Sequence, residues 1–460
     1  MNLFSDFPSS NAAEWEKRIL QDLKIQSTEE LYKKNGPLLT HPFYTKESNS
    51  KGLSHVKNES KWETCDYLHV TNEKEANKDA LEALKGGASG LVFNISKECD
   101  LDVLLKNISV EHIYTQFNIS NDSLHVLKEL KKYALKKNKD NPRATCFINL
   151  DPLYLLAKFG EWHASEREDL AQIDAMEHIA VNGIQYKEAG ANAVTELALI
   201  LAHLNEYFNC IGEAKIKNKK IIHVSFAQGS DFFTEIAKLR AFRRLNTLLQ
   251  KQYGIEIPLH LHAQTALLNK STLDAHTNLL RTTTEAMSAV IGGCDSLCVF
   301  SYDQGFVGKK EFSSRIARNQ SHILREESYL DKVADIASGS YYIEHLTEEL
   351  ADQAWKLFKK IESQDGFLNC LKTGVIQKMI EADAQILMNE VKEGKKTLVG
   401  VNKFQNKNQK EIPAWKVNKF KKKDVEPIAT IRPAFLYEER ERAVKVKCSE
   451  KIKCVKIFRK

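Results

Sequence analysis

The sequence contains no long hydrophobic run. Among its 460 residues the longest apolar stretch spans residues 197–204, and His203 interrupts it. A transmembrane helix needs about 20 consecutive apolar residues, so no segment is expected to cross a membrane. Residues 1–8 have neither the basic start nor the apolar core of a secretion signal, and they lack the arginines of a transit peptide. We therefore predict a cytoplasmic protein.

Several chemical signatures are also missing. The nine cysteines include no C-x-x-C pair and show no metal-ligand spacing to histidine, so they are predicted to be reduced thiols. There is no G-x-S-x-G nucleophile elbow, and no glycine-rich phosphate loop follows the first predicted strand. These absences give no support to catalysis of the serine-hydrolase type or to a dinucleotide-binding open sheet. Hydrophobic residues at 42% and charged residues at 28% exclude a disordered chain.

The positive charge of the chain is concentrated at its end. The formal net charge is +6, and residues 441–460 hold eight lysines and arginines against Glu441 and Glu450. The rest of the chain is therefore neutral overall. A short basic terminus is more often a solvated end than a polyanion site, so we expect no nucleic-acid partner.

Short β-rich runs alternate with longer helical stretches between residues 65 and 303. This alternation is typical of repeated β-α units around a parallel sheet. Eight such runs favour an α/β fold of the (β/α)8 TIM-barrel type, of roughly 250 residues, over an open doubly wound sheet. The runs are 67–71, 90–95, 113–119, 145–150, 179–183, 221–227, 259–264 and 296–302.

The chain divides into three predicted parts. Residues 1–64 are predicted to form an N-terminal arm or dimerisation segment, with a helix near residues 13–23. Residues 65–403 are predicted to form the barrel and the helices that follow it. Residues 404–460 are rich in lysine and asparagine, and we predict an irregular strap and a basic tail there.

Two helices are predicted after the barrel. Apolar residues recur at helical spacing over 346–361, behind Thr347 as a plausible N-cap. A further helix is predicted over 371–391. These helices are expected to pack outside the barrel as a C-terminal helical extension.

His260 and His262 form the sharpest generic motif in the chain. They are two residues apart on one predicted strand and therefore face the same side, as a metal-binding pair in a barrel hydrolase would. A metal site also needs further ligands at neighbouring strand ends, and the candidates, His223, Asp151 and Asp303, are thinly spread. We therefore predict no metal, and two pocket or core histidines.

Long sequence motifs run through residues 180–403. They are GIQ (183–185), EAGA (188–191), DFFTEIAKLRA (231–241), HAQT (262–265), LRTTTEA (280–286), GGCDS (292–296), RIARN (315–319), EES (326–328), VAD (333–335), GSYYIE (339–344) and LVGVNK (398–403). In this order the motifs resemble those of the methylmalonyl-CoA mutase family. Residues 1–64 resemble the arm of the family's smaller subunit more loosely.

The resemblance implies a barrel in which coenzyme A threads along the axis and adenosylcobalamin generates a radical over the mouth. Catalytic members carry tyrosine and histidine where this chain has Ile184 and Gln185. Gln185 cannot act as an acid and Ile184 has no hydroxyl group, so no catalytic residue is predicted. The arginine that grips the substrate carboxylate in catalytic members also has no match after the strand at 145–150.

Chain length gives a second departure from the catalytic members. Those chains continue past the LVGVNK motif into a cobalamin domain, whereas 57 residues follow Lys403 here. The resemblance therefore implies the small, non-catalytic partner of a heterodimeric methylmalonyl-CoA mutase, without a C-terminal cobalamin domain. Adenosylcobalamin is then expected on a large catalytic subunit that this chain stabilises.

The sequence does not decide whether the barrel binds a CoA ester. Two other functions also stay open: a subunit of another acyl-CoA mutase, such as one for isobutyryl-CoA, and a metal-dependent barrel hydrolase that uses His260 and His262. His260 stands where active members have an arginine. The pocket candidates from the resemblance are Gln185, His260, His262, Gln264, Thr265 and Arg315.

Overall fold

Ten β-strands lie in the part of the chain that the computed structural model describes. The described residues are 11–45, 60–119, 126–140, 146–306, 311–406, 408–409, 413–415 and 423–442. The strands are β1 Lys33–Asn35, β2 Leu38–Thr40, β3 Glu63–Val70, β4 Gly90–Ile95, β5 Tyr114–Ile119, β6 Cys146–Asn149, β7 His178–Asn182, β8 Ile221–Gln228, β9 Leu259–Thr265 and β10 Ser296–Cys298.

The eight strands β3 to β10 form one parallel sheet, in the order β6-β5-β4-β3-β10-β9-β8-β7. All eight predicted strands are confirmed. The first begins earlier than predicted and the last ends earlier, which shifts ends without changing the topology. The sheet curves until its two outer strands, β6 and β7, lie side by side, and this confirms the predicted TIM-barrel fold.

The seam between β6 and β7 is bridged by side chains. No backbone ladder joins these two strands in the described residues. Instead His178 Nε2 donates a hydrogen bond to the Ile148 carbonyl oxygen at 2.8 Å, and Asp151 Oδ2 accepts one from the Asn182 amide at 2.6 Å. These buried bonds satisfy polar groups that an open sheet edge would leave unpaired.

Helices surround the barrel and extend it. A 3₁₀ helix lies at Thr28–Leu31, another at Val110–His112, and a π-helix at Ile323–Glu327. None of the helices in the described ranges is long and apolar enough to cross a membrane. The α-helices are α1 Ala12–Leu23, α2 Glu73–Lys85, α3 Leu101–Leu104, α4 Leu127–Asp140, α5 Pro152–Phe159, α6 Glu166–Asp174, α7 Ile184–Glu188, α8 Ala193–Ile211, α9 Glu213–Ile216, α10 Phe232–Gln252, α11 Thr277–Ile291, α12 Glu311–His322, α13 Tyr341–Glu362, α14 Gly366–Lys372 and α15 Val375–Lys392.

Two helix predictions were wrong in detail. α13 begins six residues before Thr347, whose hydroxyl donates to the Ile343 carbonyl oxygen inside the helix at 2.7 Å instead of capping it. The single helix predicted over 371–391 is divided into α14 and α15. Gly374 separates them with φ of +78°, a left-handed conformation that ends a helix and that glycine adopts without strain.

The C-terminal segment crosses the barrel at the C-terminal ends of the strands. We call its described residues, 413–415 and 423–442, the strap. Most of the strap has no regular structure, and residues 435–442 are helical. Its backbone amides at Ile428 and Ile431 donate to the carbonyl oxygens of Ala157 and Glu188, at 2.7 and 2.9 Å.

Candidate functional site at the barrel mouth

The two histidines of β9 face the inside of the barrel and share one partner. Ser296 Oγ of β10 lies 2.9 Å from His260 Nε2 and 2.8 Å from His262 Nδ1. The prediction that both histidines face one side is therefore confirmed. The described residues contain no group of three or more histidines, cysteines or carboxylates that could hold a metal ion.

Burial favours the neutral form of two histidines in this core, His223 and His262. Burial lowers the pKa of His262 to about 3, with a further decrease from His260. Burial also lowers the pKa of His223 well below its usual value. The neighbouring His260 and His262 lower it further, because charging adjacent imidazoles would place like charges together. Neutral imidazoles can donate and accept hydrogen bonds here without adding charge to the barrel interior.

Large aromatic rings fill the barrel axis at the level of His260. The Tyr114 ring stacks on His260 with centroids 5.1 Å apart, and the Phe147 ring lies 5.2 Å from the same histidine. The Tyr114 hydroxyl is 2.8 Å from His223 Nε2 and donates to Gln116 Oε1 at 2.6 Å. Aromatic and imidazole side chains from β5, β6, β8 and β9 thus occupy the centre of the barrel.

Neutral amides line the mouth above this aromatic layer. Asn118 Oδ1 accepts hydrogen bonds from Gln116 Nε2 at 2.7 Å and from Asn149 Nδ2 at 2.9 Å. Asn94 Nδ2 lies 3.4 Å from His69 Nδ1 on the neighbouring strand. The upper layer is therefore a hydrogen-bonded set of uncharged groups from β3 to β6.

The segment that resembles the catalytic motif contacts the strap. The Gln185 side-chain amide donates to the Ile428 carbonyl oxygen, so one of its two N–H groups is used within the chain. Ile184, Ile431 of the strap and Leu387 of α15 pack against the same buried cluster of Ala227, Ala266 and Leu268. These contacts fill the space beside α7 with apolar side chains.

The remaining pocket candidates lie on β9 and α12. Gln264 and Thr265 are buried at the end of β9, and Thr265 Oγ1 accepts a hydrogen bond from the Phe300 amide at 2.9 Å. Arg315 lies on the exposed side of α12, with its guanidinium carbon 5.7 Å from the centre of the Phe312 ring. The structure thus groups His260, His262, Gln264 and Thr265 on one strand, while Gln185 lies on α7 and Arg315 on α12.

Asp151 occupies the region where a substrate-binding arginine was sought after β6. Its carboxylate oxygen Oδ1 accepts a hydrogen bond from the Tyr207 hydroxyl at 2.5 Å and lies 2.9 Å from His203 Nε2. The group is buried and its oxygens are used in the core. This position therefore supplies no positive charge to the mouth.

The strap covers part of the mouth through an arginine and a tryptophan. The Arg432 guanidinium stacks 3.8 Å from the centre of the Trp415 ring, and it donates to Glu438 at 2.8 and 2.6 Å. A Cβ atom at Gly305 would collide with the Trp415 ring, so the loop after β10 approaches the strap closely. Glu438 in turn accepts a hydrogen bond from the Thr272 amide after β9 at 2.8 Å.

A cavity lies beside the mouth, at the ends of β7, β8 and β9. A buried chain of alternating charges borders the cavity. Glu235 lies between two lysines, 2.7 Å from Lys187 Nζ and 2.5 Å from Lys238 Nζ. Lys238 Nζ in turn lies 3.0 Å from Glu196. The four charges cancel. This arrangement joins α7, α8 and α10 and has the form of a structural ion-pair network.

Comparison with known proteins identifies the family. The family model described as methylmalonyl-CoA mutase matches residues 93–447, which is more than half of the chain. The chain belongs to the methylmalonyl-CoA mutase family. The strands β5 to β10, the strap and all the motifs quoted above fall within the matched residues, whereas β3 precedes them.

Three relatives show how the similarity is distributed. The methylmalonyl-CoA mutase small subunit of Porphyromonas gingivalis is 32% identical, covering 88% of this chain and 71% of the relative. The small subunit of Streptomyces virginiae is 29% identical, covering 75% of this chain and 58% of the relative. The methylmalonyl-CoA mutase of Rhizobium meliloti is 36% identical, covering 52% of this chain and 35% of the relative. The chain thus spans about a third of the length of this last mutase.

Proposed function

We propose that the chain is the small subunit of a heterodimeric, cytoplasmic methylmalonyl-CoA mutase, and that it stabilises a large catalytic subunit without carrying out the isomerisation itself. The names of the relatives from Porphyromonas gingivalis and Streptomyces virginiae support the assignment to a small subunit. One structural observation carries the non-catalytic role. The Gln185 amide, at the position of the catalytic histidine, is bonded to the strap.

The charge of the mouth supports the same role. Binding a carboxylate substrate needs a cation, and the position after β6 holds Asp151, whose oxygens are used by Tyr207, His203 and Asn182. Tyr114 and Phe147 fill the barrel axis, along which the resemblance implies that coenzyme A threads in the family. A CoA ester in this barrel stays a prediction, and this packing disfavours it along the axis.

The contacts of the strap support the assignment of adenosylcobalamin to the partner subunit. The resemblance places the cofactor over the barrel mouth, and at this end of the barrel the Ile428 and Ile431 amides of the strap are hydrogen-bonded to Ala157 and Glu188. Arg432 and Trp415 add a stacked pair over the loops after β9 and β10. We therefore assign the cofactor to the large subunit and derive no chemical step through it here.

Co-expression with a large mutase subunit tests the proposal. A tag on this chain should recover a one-to-one complex that isomerises methylmalonyl-CoA when adenosylcobalamin is added, and this chain alone should be inactive. Assay of isobutyryl-CoA with the same complex separates the two acyl-CoA substrates. Absence of both association and activity would contradict the subunit assignment, and turnover by the isolated chain would falsify the non-catalytic role.

A further inference from the structure

A row of four polar side chains, one imidazole and three amides, follows the ends of the strands β3 to β6 at the barrel mouth. His69, Asn94, Asn118 and Asn149 are direct neighbours in the register of β3, β4, β5 and β6. Side chains at equivalent register positions of parallel strands point to the same side of a sheet. The four residues therefore form one continuous polar edge, which we call the amide row.

The hydrogen bonds within the amide row leave specific groups unused. Asn118 Oδ1 accepts from both Gln116 Nε2 and Asn149 Nδ2, and no partner in the described part of the chain is bonded to the Asn118 amide nitrogen. Asn149 Oδ1 has no hydrogen-bond partner although Asn149 is only 5% exposed. A buried polar atom without a partner is costly, so a missing ligand or water is expected at this oxygen.

The chemistry of the amide row selects an uncharged ligand. The row contains no carboxylate, lysine or arginine, and the nearby Asp151 already accepts hydrogen bonds from the Tyr207 hydroxyl and the Asn182 amide. A carboxylate, phosphate or ammonium would therefore lose its hydration without gaining a counter-charge. Adjacent donors and acceptors suit hydroxyl groups, which can donate and accept at once.

Aromatic side chains complete the site below the amide row. The Tyr67 ring meets His69 edge-on with centroids 5.0 Å apart, and it meets the Phe300 ring at 5.1 Å. Such rings offer apolar surface for the C–H groups of a ligand whose hydroxyls bond to the amides. His69 is exposed and Asn94 and Asn118 are half-buried, so this side of the mouth is accessible in the described residues.

We propose that the amide row binds a neutral polyhydroxyl molecule of the size of a cyclitol or a monosaccharide. The ligand hydroxyls accept from the Asn118 amide and donate to Asn149 Oδ1. This binding site is additional to the role of the chain as a mutase subunit and does not depend on it.

Calorimetric titration of the full chain with myo-inositol, glucose and ribose at millimolar concentration tests the proposal. Asn118→Asp keeps the shape of the side chain but adds charge, and Asn149→Leu removes the unpaired oxygen. Each variant should weaken binding at least tenfold, and Asn389→Asp on the exposed face of α15 should not change it. Succinate and inorganic phosphate should not bind.

Three results would overturn the proposal. They are no binding of any polyol to the unmodified chain, polyol binding by Asn118→Asp and Asn149→Leu that is as tight as that of the unmodified chain, and binding of pantetheine in the absence of polyol binding. If Asn149→Leu fails to fold, Asn94→Leu on the half-buried part of the row replaces it, with the same tenfold loss expected.

Discussion

Replacing Arg240 by methionine is expected to lower the free energy of unfolding by about 3 to 5 kcal/mol. Arg240 lies on α10 with its guanidinium fully buried, and it forms ion pairs with Asp335 and with Glu344 of α13, the latter at 2.7 Å. Methionine fills similar space but leaves both carboxylates without their counter-charge. Urea unfolding followed by circular dichroism measures the loss.

The same pair of helices offers a matched control one turn further along. Arg244 of α10 lies 3.6 Å from Glu348 of α13, and both side chains are partly exposed. Arg244→Met should cost less than about 1 kcal/mol, because water screens the pair. Adding Glu344→Leu to Arg240→Met should recover part of the stability by removing an unpaired buried carboxylate. Equal losses for the two arginine variants would contradict this account.

Replacing Glu188 by glutamine is expected to remove a pH-dependent loss of stability. Burial raises the pKa of Glu188 from 4.5 to about 7, against the lowering effects of the Leu267 amide and Lys270, while Glu285 raises it further. The folded state therefore holds a proton between about pH 4.5 and 7 that the unfolded state releases. Stability contributed by this proton is lost as the pH rises through that interval.

The expected size follows from the shift in pKa. Between about pH 5 and pH 8 the unmodified chain should lose roughly 2 to 3 kcal/mol more of its free energy of unfolding than Glu188→Gln does. Glutamine can still accept the bond from the Leu267 amide, which lies 2.6 Å from Glu188 Oε1. Glu82→Gln on the exposed face of α2 is the control. Parallel pH dependence of the unmodified chain and Glu188→Gln would contradict the assignment.

The alternation of strand-like and helix-like runs in the sequence was sufficient to predict the barrel. β-branched and aromatic runs alternate with helical periodicity, and each of the eight runs became a parallel strand. Helix boundaries were less predictable, because they depend on single conformations such as the positive φ of Gly374. Thr347 was a plausible cap by residue type, but the apolar face of α13 continues upstream to Ile343.

The candidate site was only partly predictable. The spacing of His260 and His262 indicated their common side, and the amides at strand ends were visible in the sequence. Tyr114, two and four residues before Gln116 and Asn118, could have been recognised as an inward-facing ring from the same alternation. Gln185 and Ile428 are far apart in the sequence, and Ile428 lies in a segment without helical or strand periodicity. No local sequence signal therefore predicts the hydrogen bond between them.

The central claim is that this chain supports mutase turnover without taking part in the chemistry. The most direct measurement is kcat per assembled complex with Gln185→Met in this chain, because methionine has the length of glutamine but cannot donate a hydrogen bond. We predict an unchanged kcat, and no turnover when the large subunit is replaced by an inactive variant. A large decrease in kcat for Gln185→Met in an intact complex, or turnover that survives inactivation of the large subunit, would contradict the account.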